Sequence, residues 1–171
     1  PGGAQEYFNV KPDITTLGKI AGGGFPIGVY GGRKDIMENI APAGSVYQAG
    51  TFCGNPISLV AGYTTVKYLL ENNVHSKINA KTENLVSGIS DYLEDKNKDY
   101  SITGFASMFN LYFGKKPRDY QDALSLEKEK FVKLYWALLE NGVFFPPSQY
   151  ETCFVSYAHS DDDVEKTIEA V

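Results

Sequence analysis

The residue with the most chemical promise is Lys19. It stands at the end of a short apolar run, Ile14 to Leu17, and is followed by Gly22, Gly23, Gly24 and Gly28. A lysine amine becomes a nucleophile or a proton carrier when partial desolvation favours its neutral form. Glycines beside it would let the backbone approach a flat ligand closely. Spacing alone also permits a plainer reading, in which the side chain reaches from a strand end to water. That plainer reading is the commoner fate of a lysine. A nucleotide phosphate loop fits less well, because its glycines precede the lysine, whereas here they follow it. The other reactive side chains are few. Cys53 and Cys153 lie far apart and match no metal-site spacing, so free thiols are expected. His75 opens a helical pattern and is expected at the surface, and His159 suits a structural place at a strand end as well as a chemical one.

The elements that must position Lys19 are punctuated by glycine. Between the glycines of residues 1–54, Ile14–Leu17 and Ile27–Tyr30 are too short for helices and suit buried strands. Lys34–Ile40 suits a short helix ending before Pro42. The character changes at Asn55, a candidate N-cap ahead of Pro56. Ile57, Val60, Ala61, Val66, Leu69 and Leu70 then predict an apolar helix face. Asn72 and Asn73 break that pattern, and a second helix is predicted from His75 to about Leu93. Ser107–Phe113 predicts a strand. Tyr120–Asn141 predicts one long helix, closed by Gly142. Val143–Phe145 and Phe154–Tyr157 predict two further strands, and Ser160 caps a last helix rich in aspartate. Phe144, Phe145, Tyr150 and Tyr157 are expected to pack a small domain rather than bind a ligand.

Composition narrows the function classes. The 171 residues are 43% hydrophobic and 22% charged, which suits a packed core under a soluble surface. A net charge of −5 argues against a nucleic-acid binder, which needs a basic face. No apolar run approaches the ~20 residues that span a bilayer, and no basic-then-apolar start reads as a signal peptide. A cytoplasmic location is the expectation. The chain begins at Pro1 without an initiator Met, which reads as part of a longer polypeptide.

The stretch Pro12-Asp13 through Lys19 to Gly22-Gly23-Gly24-Phe25-Pro26-Ile27-Gly28 resembles the lysine segment of class III aminotransferases. These are a branch of the fold type I enzymes that use pyridoxal 5'-phosphate and its pyridoxamine form. Gly2–Phe8, Pro42–Thr51 with Gly54-Asn55-Pro56, and Pro147–Glu151 with Ala158-His159 resemble the aminomutase branch of that family, which acts on glutamate-1-semialdehyde. The resemblance runs over essentially the whole chain. It implies an α/β fold: residues 1–72 as the C-terminal part of a large, mostly parallel domain, and residues 73–171 as a small α+β domain. It implies that Lys19 holds the cofactor as a Schiff base and shuttles protons. It also implies that Gly50 and Thr51 donate to the cofactor phosphate of a neighbouring subunit in a homodimer, and that Glu151 binds substrate. Without the resemblance, Thr51 reads as a turn residue and Glu151 as a solvated carboxylate. The family's aspartate for the pyridine nitrogen, its phosphate loop, its stacking aromatic residue and its lid have no counterpart in these residues. The chain alone is therefore expected to bind cofactor weakly or not at all. The rival expectations are an ordinary ω-aminotransferase and a non-catalytic piece that keeps the scaffold.

Overall fold

The computed structural model describes all of residues 1–171. The chain divides into two compact units, Pro1–Val74 and His75–Val171.

The first unit opens with a short helix α1 (Gly3–Tyr7) and strand β1 (Ile14–Gly18). A single 3-10 turn, Lys19–Gly22, leads toward strand β2 (Gly28–Gly32), which returns antiparallel to β1 with Ile14 opposite Gly32 and Gly18 opposite Gly28. This antiparallel pair is the one sheet within the unit. Helix α2 (Lys34–Met37) follows, then loops to helix α3 (Pro56–Glu71). Asn55 caps α3, its side-chain oxygen accepting from Ile57 N at 3.0 Å and Ser58 N at 3.2 Å. Such a cap contributes about 1 kcal/mol.

Two expectations about packing fail here. Strands β1 and β2 exist, but they are not buried: Leu17 is 56% exposed and every residue of both strands except Thr15 and Gly31 is open to solvent. The face of α3 that packs is not the apolar one, either. Its two buried residues are the small Ser58 and Gly62, while Ile57, Val60, Val66 and Leu70 face outward. The reason is steric. The 3-10 turn lies so close to α3 that a Cβ at Gly62 would sit 2.3 Å from Ala21 O, and one at Gly23 would sit 2.7 Å from Ala61 O. Only small residues allow backbone to approach backbone at that range.

The second unit has a conventional core. Helix α4 (Val74–Asp95) carries Leu85, Ile89 and Leu93 on one stripe. Strands β3 (Tyr100–Phe105) and β4 (Met108–Phe113) form a hairpin, and the two-residue β5 (Cys153–Phe154) adds antiparallel to β4. Helices α5 (Tyr120–Leu124), α6 (Lys128–Glu140) and α7 (Asp161–Ala170) complete it. Ile89 and Leu138 are wholly buried, among Phe109, Leu111, Phe145 and Val164.

Here too the structure corrects several expectations. The long helix over 120–141 is two helices. Ser125 Oγ bonds back to Asp122 O at 2.7 Å, and Glu127 takes a non-helical ψ of 90°, so the first helix ends and a second begins. Its far end is as read: Gly142 is left-handed at φ 79°, Gly142 N donates to Leu139 O and Val143 N to Leu138 O. Val143–Phe145 joins no sheet, since its register would run straight into Pro146 and Pro147, which lack donors. Phe154–Tyr157 shrinks to β5, and β3 was not anticipated. Of the four aromatic residues assigned to packing, only Phe145 is buried; Phe144, Tyr150 and Tyr157 are exposed. His75 is half-buried rather than exposed.

Candidate functional site

Lys19 is placed by the hairpin that precedes and follows it. Arg33, just after β2, ties both ends of that hairpin together. Its guanidinium donates to Asp13 at 2.8 Å and to Asp35 at 2.6 Å, and its backbone N donates to Asp13 O at 2.9 Å. Asp35, then Asp13, raise the Arg33 pKa, and Arg33 holds the Asp35 carboxyl below its ordinary value. This pair sits in solvent, so its value is geometric more than energetic.

The backbone at Lys19 itself is unusual. Its φ is 51°, in the left-handed region that few residues other than glycine adopt. A lysine held there costs of order 1 kcal/mol, and such outliers gather at functional sites. The turn is held from below by its close seat on α3 at Gly62. The side chain is exposed and makes no hydrogen bond or ion pair. The expected desolvation is therefore not achieved within this chain. The apolar wall is present but uncovered: Leu17 beside it and Ile20 after it, 68% exposed, both face outward. Gly24 and Gly28 have open space where a Cβ would stand. An unpaired primary amine beside open glycines suits a planar aldehyde.

Gly50 and Thr51 lie in the turn before α3. Cys53 N donates to Gly50 O at 3.0 Å, and Gln48 Nε2 donates to Cys53 Sγ at 3.3 Å, which folds the turn on itself. The Thr51 side chain is exposed and unpaired, so it is available as a donor. No hydrogen bond joins Lys19 to Gly50 or Thr51.

Glu151 belongs to the second unit. It closes a tight turn, with Glu151 N donating to Ser148 O at 3.0 Å and Tyr150 N to Ser148 Oγ at 3.2 Å. Its carboxylate is exposed, makes no bond, and lines a cleft of about 600 Å³ with Phe144, Phe154, His159 and Lys166. His159 has a structural duty there, since its Nδ1 accepts from Ser156 N at 2.9 Å and its carbonyl accepts from Lys81. Two residues of this turn region were missed in the sequence. Asn110 Nδ2, from β4, donates to Glu151 O at 2.8 Å. Gln149 is only 2% exposed, and neither atom of its amide has a partner. An asparagine inside a strand of apolar residues was the available signal for the first.

No helix is long and apolar enough to cross a membrane. The family profile described as Aminotransferase class-III matches residues 3–171. A glutamate-1-semialdehyde 2,1-aminomutase from Archaeoglobus fulgidus is 66% identical over 170 residues, which is 99% of this chain and 41% of the relative. An ω-transaminase from Sphaerobacter thermophilus superposes with a TM-score of 0.87 at 28% identity, over 99% of this chain and 39% of that one. A glutamate-1-semialdehyde aminomutase variant from Pseudomonas aeruginosa, in complex with PMP, superposes with a TM-score of 0.82 at 21% identity, over 99% of this chain and 40% of that one. The chain thus spans about two fifths of the length of the relatives it matches. With the profile covering all but its first two residues, the chain belongs to the class III aminotransferase family.

Proposed function

We propose that this chain is the lysine-bearing portion of a pyridoxal-phosphate-dependent glutamate-1-semialdehyde 2,1-aminomutase, which converts (S)-4-amino-5-oxopentanoate to 5-aminolevulinate for tetrapyrrole synthesis. The observation that carries this reading is the 66% identity, across 99% of the chain, to a relative of that name. Residues 1–72 then belong to the large cofactor-binding domain and residues 73–171 to the small domain. The whole enzyme is a cytoplasmic homodimer that takes a small-molecule substrate.

Pyridoxal 5'-phosphate, or its pyridoxamine form, supplies an electron-accepting ring that stabilises negative charge on an adjacent carbon. Lys19 would hold the cofactor through its Nζ, and when free of it the same amine would carry protons as general acid and base, while the amine form of the cofactor would supply the amino group that is exchanged. Gly50 N–H and the Thr51 hydroxyl donate to the cofactor phosphate of the neighbouring subunit. Glu151 pairs with the substrate ammonium and repels a second carboxylate, which disfavours the half-reaction of an ordinary amino acid.

The test uses the full-length protein. Its absorbance with pyridoxal phosphate should shift irreversibly on borohydride treatment, with the label on the Lys19 peptide. Isomerisation of the semialdehyde should far exceed amine transfer to an added keto acid. Label on a different lysine would remove Lys19. Dominant transfer to the keto acid would favour an ω-aminotransferase instead.

A further inference from the structure

We infer that Asn110 is a positioning residue that aims Glu151, and so helps set the choice between the internal amine shift and transfer to a second substrate. The inference rests on the role proposed for Glu151 above.

Strand β5 ends its ladder with β4 at Cys153, opposite Phe109. Carried two steps further, that register would pair Glu151 with Leu111. The chain has already left the ladder there, turning through Ser148–Glu151. The Glu151 carbonyl is taken by a side chain, Asn110 Nδ2 at 2.8 Å, in place of a strand partner. The neighbouring Phe109 grips both ends of the same loop. It stands opposite Cys153, and its ring meets Phe145 edge-on at 5.9 Å. Phe145 and Cys153 are both buried in the core. Residues 146–152 are thus pinned at each end by Phe109 and near the carboxylate by Asn110. Tyr150 is braced against Tyr120, ring centroids 6.1 Å apart.

The Glu151 carboxylate has no bond of its own. Its distance from a bound substrate follows from its backbone, and the Glu151 carbonyl has one side-chain tether. A carboxylate that selects by charge needs a fixed position, since its field falls off with distance. Losing one hydrogen bond that orients a charged group costs about a tenfold change in what that group controls.

The test compares full-length holoenzymes carrying Asn110→Leu, Asn110→Ala, Glu151→Gln, and Asn110→Leu with Glu151→Gln. Asn110→Leu keeps most of the volume and removes the donor without adding charge. Both Asn110 variants should shift the partition of amine toward an added keto acid by about tenfold, in the direction of Glu151→Gln, and raise KM more than they lower kcat. Adding Asn110→Leu to Glu151→Gln should then change nothing further. In the cofactor-free protein, amide exchange at Glu151 and Thr152 should quicken in Asn110→Leu while Phe109 and Leu111 stay protected. If Glu151→Gln shifts the partition and the Asn110 variants lower only Tm, the inference falls and the reading of Glu151 stands. If Glu151→Gln leaves the partition unchanged, the Glu151 reading falls and the tether has nothing to aim. An Asn110 effect that persists in the Glu151→Gln background also overturns the inference, because Asn110 then acts by another route.

Discussion

The two units solve the problem of order in opposite ways. The unit from His75 to Val171 holds fourteen of the fifteen buried apolar residues, the exception being Val74. The unit from Pro1 to Val74 holds all but four of the 17 glycines, and it shapes itself through turns, a cap, an arginine clamp and backbone contacts. One region is organised around side chains excluded from water; the other places an amine and leaves its apolar faces open. The role proposed for Lys19 asks for exact backbone placement more than for a local core, and glycine-rich turns supply that placement.

The sharpest break between the two is a pair of substitutions. Lys19→Ala should reduce turnover of the full-length enzyme by at least about a thousandfold while leaving Tm nearly unchanged, measured by steady-state assay and calorimetry. Ile89→Ala, at a site with 0% exposure, should do the reverse. It should cost about 2–5 kcal/mol of stability, seen in denaturant melts, with little change in turnover per folded molecule. Gly62→Ala should fall between. Its Cβ would press on Ala21 O, costing about 1–3 kcal/mol. It should also displace the Lys19 turn, so that cofactor absorbance weakens along with stability.

The cysteines extend the contrast to pH. Cys153 is buried and its thiol is pushed up to about 12, whereas Cys53 is exposed. A thiol reagent should modify Cys53 of the 171-residue chain quickly and Cys153 only on unfolding. In the unfolded chain Cys153 loses its proton near 9, and in the folded chain it keeps it. The unfolded state therefore binds fewer protons between about 9 and about 12, and stability falls as pH rises through that window. Cys153→Ala should flatten that limb of the curve. The smallest effect concerns the α7 cap. Ser160 hydrogen bonds hold the Asp163 carboxyl below its usual value. Its contribution is present above the ordinary carboxylate range and is lost as pH falls below it. Ser160→Ala should lower Tm at every pH, because the bond from Asp163 N to Ser160 Oγ is lost throughout, and by somewhat less in strong acid, where the bond from Ser160 Oγ to the Asp163 carboxylate is already gone.

What the sequence made legible was local. Asn55 before Pro56, Ser160 before three aspartates, and Gly142 after α6 each declare a helix end within four residues, and each does so in the structure. The β3–β4 hairpin escaped notice because its turn puts Ala106, not glycine or asparagine, at φ 54°. The split between α5 and α6 escaped because the apolar period continues across Ser125–Glu127. The exposure of β1, β2 and the apolar side of α3 was illegible, because periodicity reports which face is apolar and not whether anything covers it. The candidate site divides along the same line. Lys19 stood out by resemblance rather than spacing, and its left-handed backbone left no mark in the residue types. The Asn110–Glu151 tether joins residues 41 apart in sequence, beyond the reach of any local pattern.

The left-handed turn at Lys19 has one more consequence. At that position the fold would be better served by glycine, so the two demands on the residue pull in opposite directions. Lys19→Gly should melt higher than Lys19→Ala, though both lack the amine. Under the role proposed for Lys19, the substitution that relaxes the backbone there is also the one that removes the amine.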